Sequence, residues 1–141
     1  NQTLKDQDKT YLISSAKNGL GEVEGSFCTP TGRFKIAEKI GDGLALGSVL
    51  VGRAPTGEIY SPELAKQQAN RDWILTRILW LDGVEAHNQN TKARYIYIHG
   101  TPKETPLGEP GSKGCIRMNN HDMIKLFNLV KIGEDVAIIE E

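Results

Sequence analysis

A chain of 141 residues is long enough for one domain with a sizeable core and too short for two, so we expect residues 1–141 to form a single domain. The formal net charge of −1, with acidic and basic residues interspersed, gives no electrostatic case for nucleic acid or an anionic membrane surface as partner. The longest apolar run, residues 73–81, is broken by Thr76 and Arg77 and is too short to span a bilayer.

Short apolar segments alternate with glycine-rich and proline-rich turns along the chain, which indicates a β-rich organisation. Aromatic and β-branched residues, or alternation of polar with apolar residues, are typical of strands. In chain order, we expect strands at residues 9–15, 33–36, 48–51, 73–81, 95–98 and 136–139. The glycine-rich segment 18–25 misses the dinucleotide-binding spacing by one residue, so we interpret it as a turn.

Two helices interrupt this pattern. Ser61 as N-cap and Pro62 in the first turn predict a short helix at 63–70. With the residues before it, this helix forms an excursion from the sheet at 53–72, and such excursions often become rims or lids. A second helix is expected at 119–130, where apolar residues fall on one face.

Arg77 is an anomaly, because it lies in the middle of the apolar strand 73–81. A charge in such a place must be paired or must face a cavity. Two interpretations stay open: a structural ion pair, or contact with a substrate.

The stretch from Tyr95 to Met118 carries the chemistry. An apolar strand at 95–98 would bring His99 to the edge of the sheet, and Cys115 follows sixteen positions later. The loop between them is rich in proline and glycine, which restrict and shape it so that its two ends can be held in one geometry.

Clustered metal ligands and phosphate-binding loops are absent, so we expect no metal or cofactor. A free thiol is a few per cent thiolate at neutral pH and needs a base or a positive environment to be a good nucleophile. His99 can supply the base, and Lys113 and Arg117 lie within two residues of Cys115. The spacing alone leaves open that Cys115 is simply a small buried hydrophobe, and a disulfide with Cys28 is a weaker alternative.

These residues resemble a family. His99-Gly100-Thr101, the interval from Gly100 through Gly111, and the run from Ser112 to Met118 are similar to the signature of the YkuD-type L,D-transpeptidases. The run 29–34, Thr-Pro-Thr-Gly-Arg-Phe, is also similar to a family turn and strand. The resemblance implies a mainly β, sandwich or barrel-like catalytic domain, with the cysteine on a loop at its edge.

The resemblance also implies roles for individual residues. Cys115 would be the nucleophile and His99 its base, held by a backbone carbonyl near Gly100. Ser112 would help to order the site, and the amides of Gly114 and Cys115 would form the oxyanion hole. The planar guanidinium of Arg117 makes it a candidate for binding a stem carboxylate, with a structural ion pair as the equally open alternative. The other expected substrate-binding residues are Lys113, Gly100 and Arg77.

The substrate implied is a peptidoglycan tetrapeptide stem or muropeptide, with the acyl group of residue 3 passing through a thioester to an amine. Water as acceptor would make the enzyme an L,D-carboxypeptidase, and a non-catalytic peptidoglycan-binding module is a third alternative. Carbapenems are expected to acylate Cys115. One departure from the family is Lys113, which stands where a histidine is usual, so His99 is the only base in the motif.

The compartment is open on sequence grounds. The first residues contain no apolar signal core, which fits a processed protein of the cell envelope or periplasm and equally fits a cytoplasmic protein. The oligomeric state is likewise unpredicted.

Overall fold

The computed structural model describes residues 2–140. Its strands are Thr3–Asp6 (β1), Lys9–Ser14 (β2), Gly32–Ile40 (β3), Ser48–Val51 (β4), Ala54–Ile59 (β5), Ile74–Gly83 (β6), Tyr97–Thr101 (β7), Ile116–Asn119 (β8) and Asp135–Ile138 (β9). The helices are Pro62–Gln67 (α1) and Asn120–Leu129 (α2), and a 3-10 turn covers Ala86–Asn88. Within this described part, no helix is both long and apolar enough to cross a membrane.

The strands form one curled, half-barrel sheet in the order β1-β2-β8-β7-β6-β3-β9, with β4 joined to β6 and β5 joined to β4. The β7–β8 pair is parallel, whereas the other strand pairs are antiparallel. The predicted mainly β fold is therefore confirmed in its barrel-like form.

Helix α2 fills the inside of the curl. The Asn119 side chain accepts hydrogen bonds from the amides of His121 and Asp122, which caps the helix as its sequence predicts. Met123 and Phe127 then face the sheet and join its inward residues in one core. This packing supports β6, β7 and β8 from behind, so these strands are well placed to hold a site rigidly.

All the predicted strands and both helices are present, with bounds that differ by a few residues. Three strands were not predicted: β8, which overlaps the end of the motif run 112–118, and the two strands β1 and β5. The last two are polar: Thr3–Asp6 reads TLKD, and Ala54–Ile59 reads APTGEI and is largely exposed. They are held by hydrogen bonds to β2 and β4 rather than by burial, so their side chains carry little strand signal.

The placement of His99 differs from the prediction. Tyr95 has a φ of 58°, so the strand begins only at Tyr97, and His99 lies inside β7 rather than beyond its end. Because β7 lies between β8 and β6, His99 is in the middle of the sheet and the predicted edge position was wrong. Cys115 likewise precedes β8, an internal strand next to β7, and not a strand at the sheet edge.

Candidate active site

The parallel pair β7–β8 brings the two ends of the sequence motif together. Its register aligns Ile98 with Ile116 and His99 with Arg117. The residue before Ile116 is Cys115, which lies beside Tyr97: the Tyr97 amide is 3.3 Å from the Cys115 sulfur. Because successive side chains alternate between the faces of a strand, Tyr97 and His99 share one face of β7. The thiol and the imidazole are therefore neighbours along one side of the sheet.

This side of β7 and β8 forms the floor of a cleft of about 540 Å³. Its charged and reactive lining residues are Glu24, Arg53, Asp72, Arg94, His99, Lys113, Cys115 and Arg117. A smaller cavity of about 260 Å³ lies under β1 and β9, and the described residues that line it include neither cysteine nor histidine. We therefore place the candidate active site in the cleft lined by Cys115 and His99, which is called the cleft below.

Cys115 is a half-buried free thiol, and Cys28 is also free, so the disulfide considered from the sequence is not formed. The Cys115 S–H donates to the Tyr95 carbonyl at 3.4 Å. Burial raises the pKa of Cys115 to about 12, and the hydrogen bond from the Tyr97 amide opposes this only in part. Without substrate the thiol is protonated at neutral pH, so attack on a carbonyl requires a base.

His99 is buried, with only 1% of its surface exposed. Its Nδ1 lies 2.6 Å from the Gly100 carbonyl oxygen, and since a carbonyl only accepts, Nδ1 carries the proton. Burial lowers the pKa of His99 below its ordinary value, more than the Gly100 hydrogen bond raises it. The ring is therefore neutral near pH 7, with the lone pair of Nε2 available as a base.

The turn before Cys115 is fixed by two hydroxyl groups. Ser112 Oγ donates to the Cys115 carbonyl and accepts from the Gly114 amide at 3.1 Å. Thr29 Oγ1 donates to the Gly114 carbonyl at 2.9 Å and accepts from the Ala16 amide. Gly114 has a φ of 129°, a conformation that favours glycine, and a Cβ there would lie 3.2 Å from the Cys28 carbonyl oxygen.

This turn has a consequence for the oxyanion hole. The Gly114 amide already donates to Ser112 inside the turn, so it is not directed into the cleft. Ser112 orders this turn through its two hydrogen bonds, and Gly114 contributes a backbone conformation that favours glycine.

The remaining cations of the cleft differ in their partners. Arg117 pairs with Asp72 at 3.4 Å and donates to the Gly111 carbonyl at 3.1 Å. Arg94 donates to the Cys28 carbonyl at 2.7 Å and to the Gly21 carbonyl at 3.2 Å. Both guanidinium groups act to lower the pKa of Cys115, but burial outweighs them. Lys113 is exposed on the loop at the cleft.

Two of the expected substrate-binding residues lie elsewhere. Arg77 is buried beneath α2, where it donates to the carbonyls of Leu44 and Thr76 and lies over the Phe127 ring. Its hydrogen bonds go to carbonyls rather than to a carboxylate, so the predicted ion pair is replaced by backbone contacts. Gly100 is packed too tightly for a side chain, since a Cβ there would collide with Asn120 and the Leu75 carbonyl.

Sequence reasoning missed several cleft residues. Arg53, Asp72 and Arg94 come from three separate loops, and none belongs to a local motif that would single it out. Thr29 could have been found, because it opens the Thr-Pro-x-Gly turn that resembles a family motif. Nothing in that local pattern indicates that its hydroxyl contacts Gly114.

The fold and the cleft define a class: a curled mainly β protein with a neutral imidazole on one strand and a thiol directly before the adjacent parallel strand. A family model described as the L,D-transpeptidase catalytic domain, YkuD, matches residues 2–139. The chain therefore belongs to the YkuD family of L,D-transpeptidase catalytic domains.

Individual relatives agree with this. A Bacillus subtilis protein, provisionally named L,D-transpeptidase YkuD, is 35% identical over 95 residues, which make up 67% of this chain and 50% of that protein. The chain thus spans about half the length of that relative.

Solved structures show the same fold. An L,D-transpeptidase from Xylanimonas cellulosilytica is 18% identical, with a TM-score of 0.58 over 96% of this chain and 54% of its own. L,D-transpeptidase 3 from Mycobacterium tuberculosis is 20% identical, with a TM-score of 0.55 over 99% of this chain and 48% of its own. The M. tuberculosis protein has also been solved in complex with a faropenem-derived adduct.

Proposed function

We propose that this chain catalyses acyl transfer on peptidoglycan tetrapeptide stems, with Cys115 as nucleophile and His99 as base. The observation that carries the proposal is a neutral imidazole on β7 and a neutral thiol directly before β8, both lining one cleft, in a chain of the L,D-transpeptidase family. A pair that starts neutral can form thiolate and imidazolium by one proton transfer as the substrate binds.

In the first half-reaction, Cys115 Sγ attacks the carbonyl carbon of residue 3 of the stem while its proton moves to His99 Nε2. In the resting structure the S–H donates to the Tyr95 carbonyl, so this proton must first turn away from that oxygen. The tetrahedral intermediate then collapses, the C–N bond breaks, and His99 returns the proton to the leaving amine of D-alanine. The product is a thioester on Cys115.

The developing oxyanion needs a donor. We assign this role to the Cys115 amide, because the Gly114 amide is held by Ser112. Ser112 and Thr29 fix the turn that orients the Cys115 backbone. Lys113 and Arg117 give the cleft a positive potential suited to the carboxylates of the stem.

In the second half-reaction an amine attacks the thioester, and His99 takes its proton as the C–S bond breaks. The imidazolium then protonates the leaving thiolate. Water in place of the amine would release a tripeptide, which is the L,D-carboxypeptidase outcome. For either acceptor the reaction belongs where peptidoglycan or its fragments occur, and we propose the cell envelope as the compartment.

The acceptor is tested by incubating the protein with a disaccharide tetrapeptide, with and without an added D-amino acid, and analysing products by mass spectrometry. Exchange of the terminal residue for the added amino acid is expected. Tripeptide as the only product would replace transfer by hydrolysis. No product with either mixture would leave the binding-module alternative.

A carbapenem gives a substrate-independent test of the nucleophile. We expect the whole-protein mass to increase by one carbapenem, with the adduct lost in Cys115→Ala and kept in Cys28→Ala. An adduct that follows Cys28 would show that the nucleophile is assigned to the wrong thiol.

A further inference from the structure

We propose that Arg53 binds a carboxylate of the stem peptide and so determines which stems the enzyme accepts. This inference rests on the proposed function and adds a specificity residue that the sequence motif does not contain. It is carried by the position of Arg53, by its turn, and by the partners of its guanidinium group.

Arg53 lies at the tip of the hairpin formed by β4 and β5. Val51 pairs with Ala54, so Gly52 and Arg53 form a two-residue turn, with φ values of 57° and 65°. Positive φ at both positions defines a turn in which glycine or asparagine is strongly preferred, and arginine is conformationally costly there. The turn geometry therefore does not favour arginine at this position, which directs attention to the contacts of its side chain.

The side chain lines the same cleft as the thiol. The Arg53 guanidinium lies 4.8 Å from the centre of the Trp80 ring and 5.0 Å from that of Tyr95, and Nη1 donates to the Tyr97 hydroxyl at 3.0 Å. Tyr97 and Tyr95 are the two residues whose backbone groups contact the Cys115 sulfur. Aromatic rings therefore fix the guanidinium in one orientation within the cleft that also holds the thiol.

The three arginines of the cleft differ in their partners. Arg117 binds the Asp72 carboxylate, and Arg94 donates to two carbonyls. Among residues 2–140, the hydrogen-bond partner of Arg53 is a neutral phenol. Glu38 is the carboxylate that acts on the charge of Arg53, and it is itself paired with Lys92 at 3.3 Å.

A guanidinium group has five N–H donors in a planar fork that matches a carboxylate. With one donor on Tyr97, Arg53 keeps enough of its fork for a two-point contact. A stem tetrapeptide offers three carboxylates: on the D-glutamate residue, on the diaminopimelate side chain, and on the terminal D-alanine. The chemistry recognised is the same for each, and amidated analogues distinguish them.

The experiment compares wild type and Arg53→Gln on the parent tetrapeptide and on three analogues, each with one carboxylate converted to a carboxamide. We expect Arg53→Gln to lower kcat/KM on the parent about 10- to 100-fold, mainly through KM. For one analogue, we expect the kcat/KM of the wild type to fall by a similar factor relative to the parent peptide. The kcat/KM of Arg53→Gln should be the same on that analogue as on the parent. That analogue identifies the carboxylate.

Arg71→Gln is the matched control. Arg71 also lies over a tryptophan ring, Trp73 at 4.7 Å, but it pairs with Glu58 and does not line the cleft. It should change kcat/KM less than about twofold. Alkylation of Cys115 by neutral iodoacetamide should be unchanged in Arg53→Gln, since a mere disturbance of Tyr97 would alter the thiol.

Equal losses on the parent and on all three analogues would overturn the proposal, as would no loss on the parent. If wild type does not cleave the parent, the proposed function fails separately. In that case, calorimetry measures the Kd of the four peptides for Cys115→Ala and for the double variant Cys115→Ala, Arg53→Gln. The role of Arg53 is then decided by whether one amidated analogue binds the two variants equally weakly.

Discussion

The floor and the wall of the cleft are built differently. The floor is the pair β7–β8 with the turn 112–115 that precedes β8, and every residue of β7 is buried. The wall is the excursion at residues 53–72, in which α1 has no buried residue and β5 is largely exposed. The groups that we propose form and break bonds lie on the floor, whereas the wall contributes Arg53 and Asp72.

This difference separates two demands of the reaction. Nucleophile and base must keep a fixed geometry, which a hydrogen-bonded and buried strand pair provides. Groups that bind a flexible peptide tolerate a less stable support, and segments with few buried contacts open more readily than the core. Changes on the floor should therefore reduce catalysis more than comparable changes in the wall or in the core behind it.

The largest effect is expected for His99→Gln. Loss of the base should lower kcat for thioester formation by about 10²- to 10⁴-fold, as is usual for a general base. His121→Gln is the control, because His121 is exposed at the start of α2 and should change kcat less than about twofold. Equal losses in the two variants would remove His99 from the mechanism.

The acid limb of activity follows from the same residue. Because burial lowers the pKa of His99, kcat should hold as pH falls to about 6.5 and decline only below it. Between the ordinary histidine pKa and the lower pKa of folded His99, the unfolded chain takes up a proton that folded His99 does not. The free energy of unfolding therefore falls as pH falls through this window. Urea unfolding at about pH 5 and pH 7 should show this loss, and His99→Gln should reduce it.

The alkaline side involves the thiol. The unfolded cysteine ionises near pH 8.5, whereas folded Cys115 has a pKa of about 12, so stability should fall as pH rises through this window. Cys115→Ser should flatten the alkaline dependence of the free energy of unfolding. An unchanged slope in that variant would mean that Cys115 is not a buried, protonated thiol.

Serine substitutions compare floor and wall directly. Ser112→Ala removes the hydroxyl that bonds the Gly114 amide and the Cys115 carbonyl, and we expect kcat to fall about tenfold. Ser61→Ala removes the N-cap of α1, a change that costs about 1 kcal/mol locally, and should leave kcat within about twofold. A reversed order would contradict the division between floor and wall.

The smallest effect on activity is expected for Arg77→Met. This change leaves the carbonyls of Leu44 and Thr76 without their donor, so the free energy of unfolding should fall by about 1–3 kcal/mol. Because Arg77 lies behind the floor and not in the cleft, kcat/KM per folded molecule should be unchanged. A selective rise in KM would restore the substrate-facing interpretation of this residue.

Much of the sheet was predictable, because strands such as Ser48–Val51 and Ile74–Gly83 are rich in apolar residues, which indicates a buried strand. The thiol and imidazole were also accessible, since the motif joins them through a short loop. The position of His99 inside the sheet could not be predicted, because a histidine that follows an apolar run can equally end a strand or continue it. Because Tyr95 has a positive φ, β7 begins at Tyr97 rather than at Tyr95, and His99 lies within the strand.

The rest of the cleft depends on long-range pairing. Asp72 meets Arg117 only because β6 and β8 flank β7, and Arg53 meets Tyr97 only because the β4–β5 hairpin attaches to β6. Such contacts follow from sheet order, which local patterns do not determine. The same reason explains Arg77, whose partners are carbonyls from a loop and its own strand.

The central claim is that Cys115 forms a thioester with the stem peptide. The most direct measurement is peptide-mapping mass spectrometry of the protein quenched in acid during turnover of a disaccharide tetrapeptide. The account predicts an adduct of the substrate without its terminal D-alanine, on the fragment that contains Cys115. An adduct on the Cys28 fragment, or turnover that continues undiminished in Cys115→Ala, would contradict it.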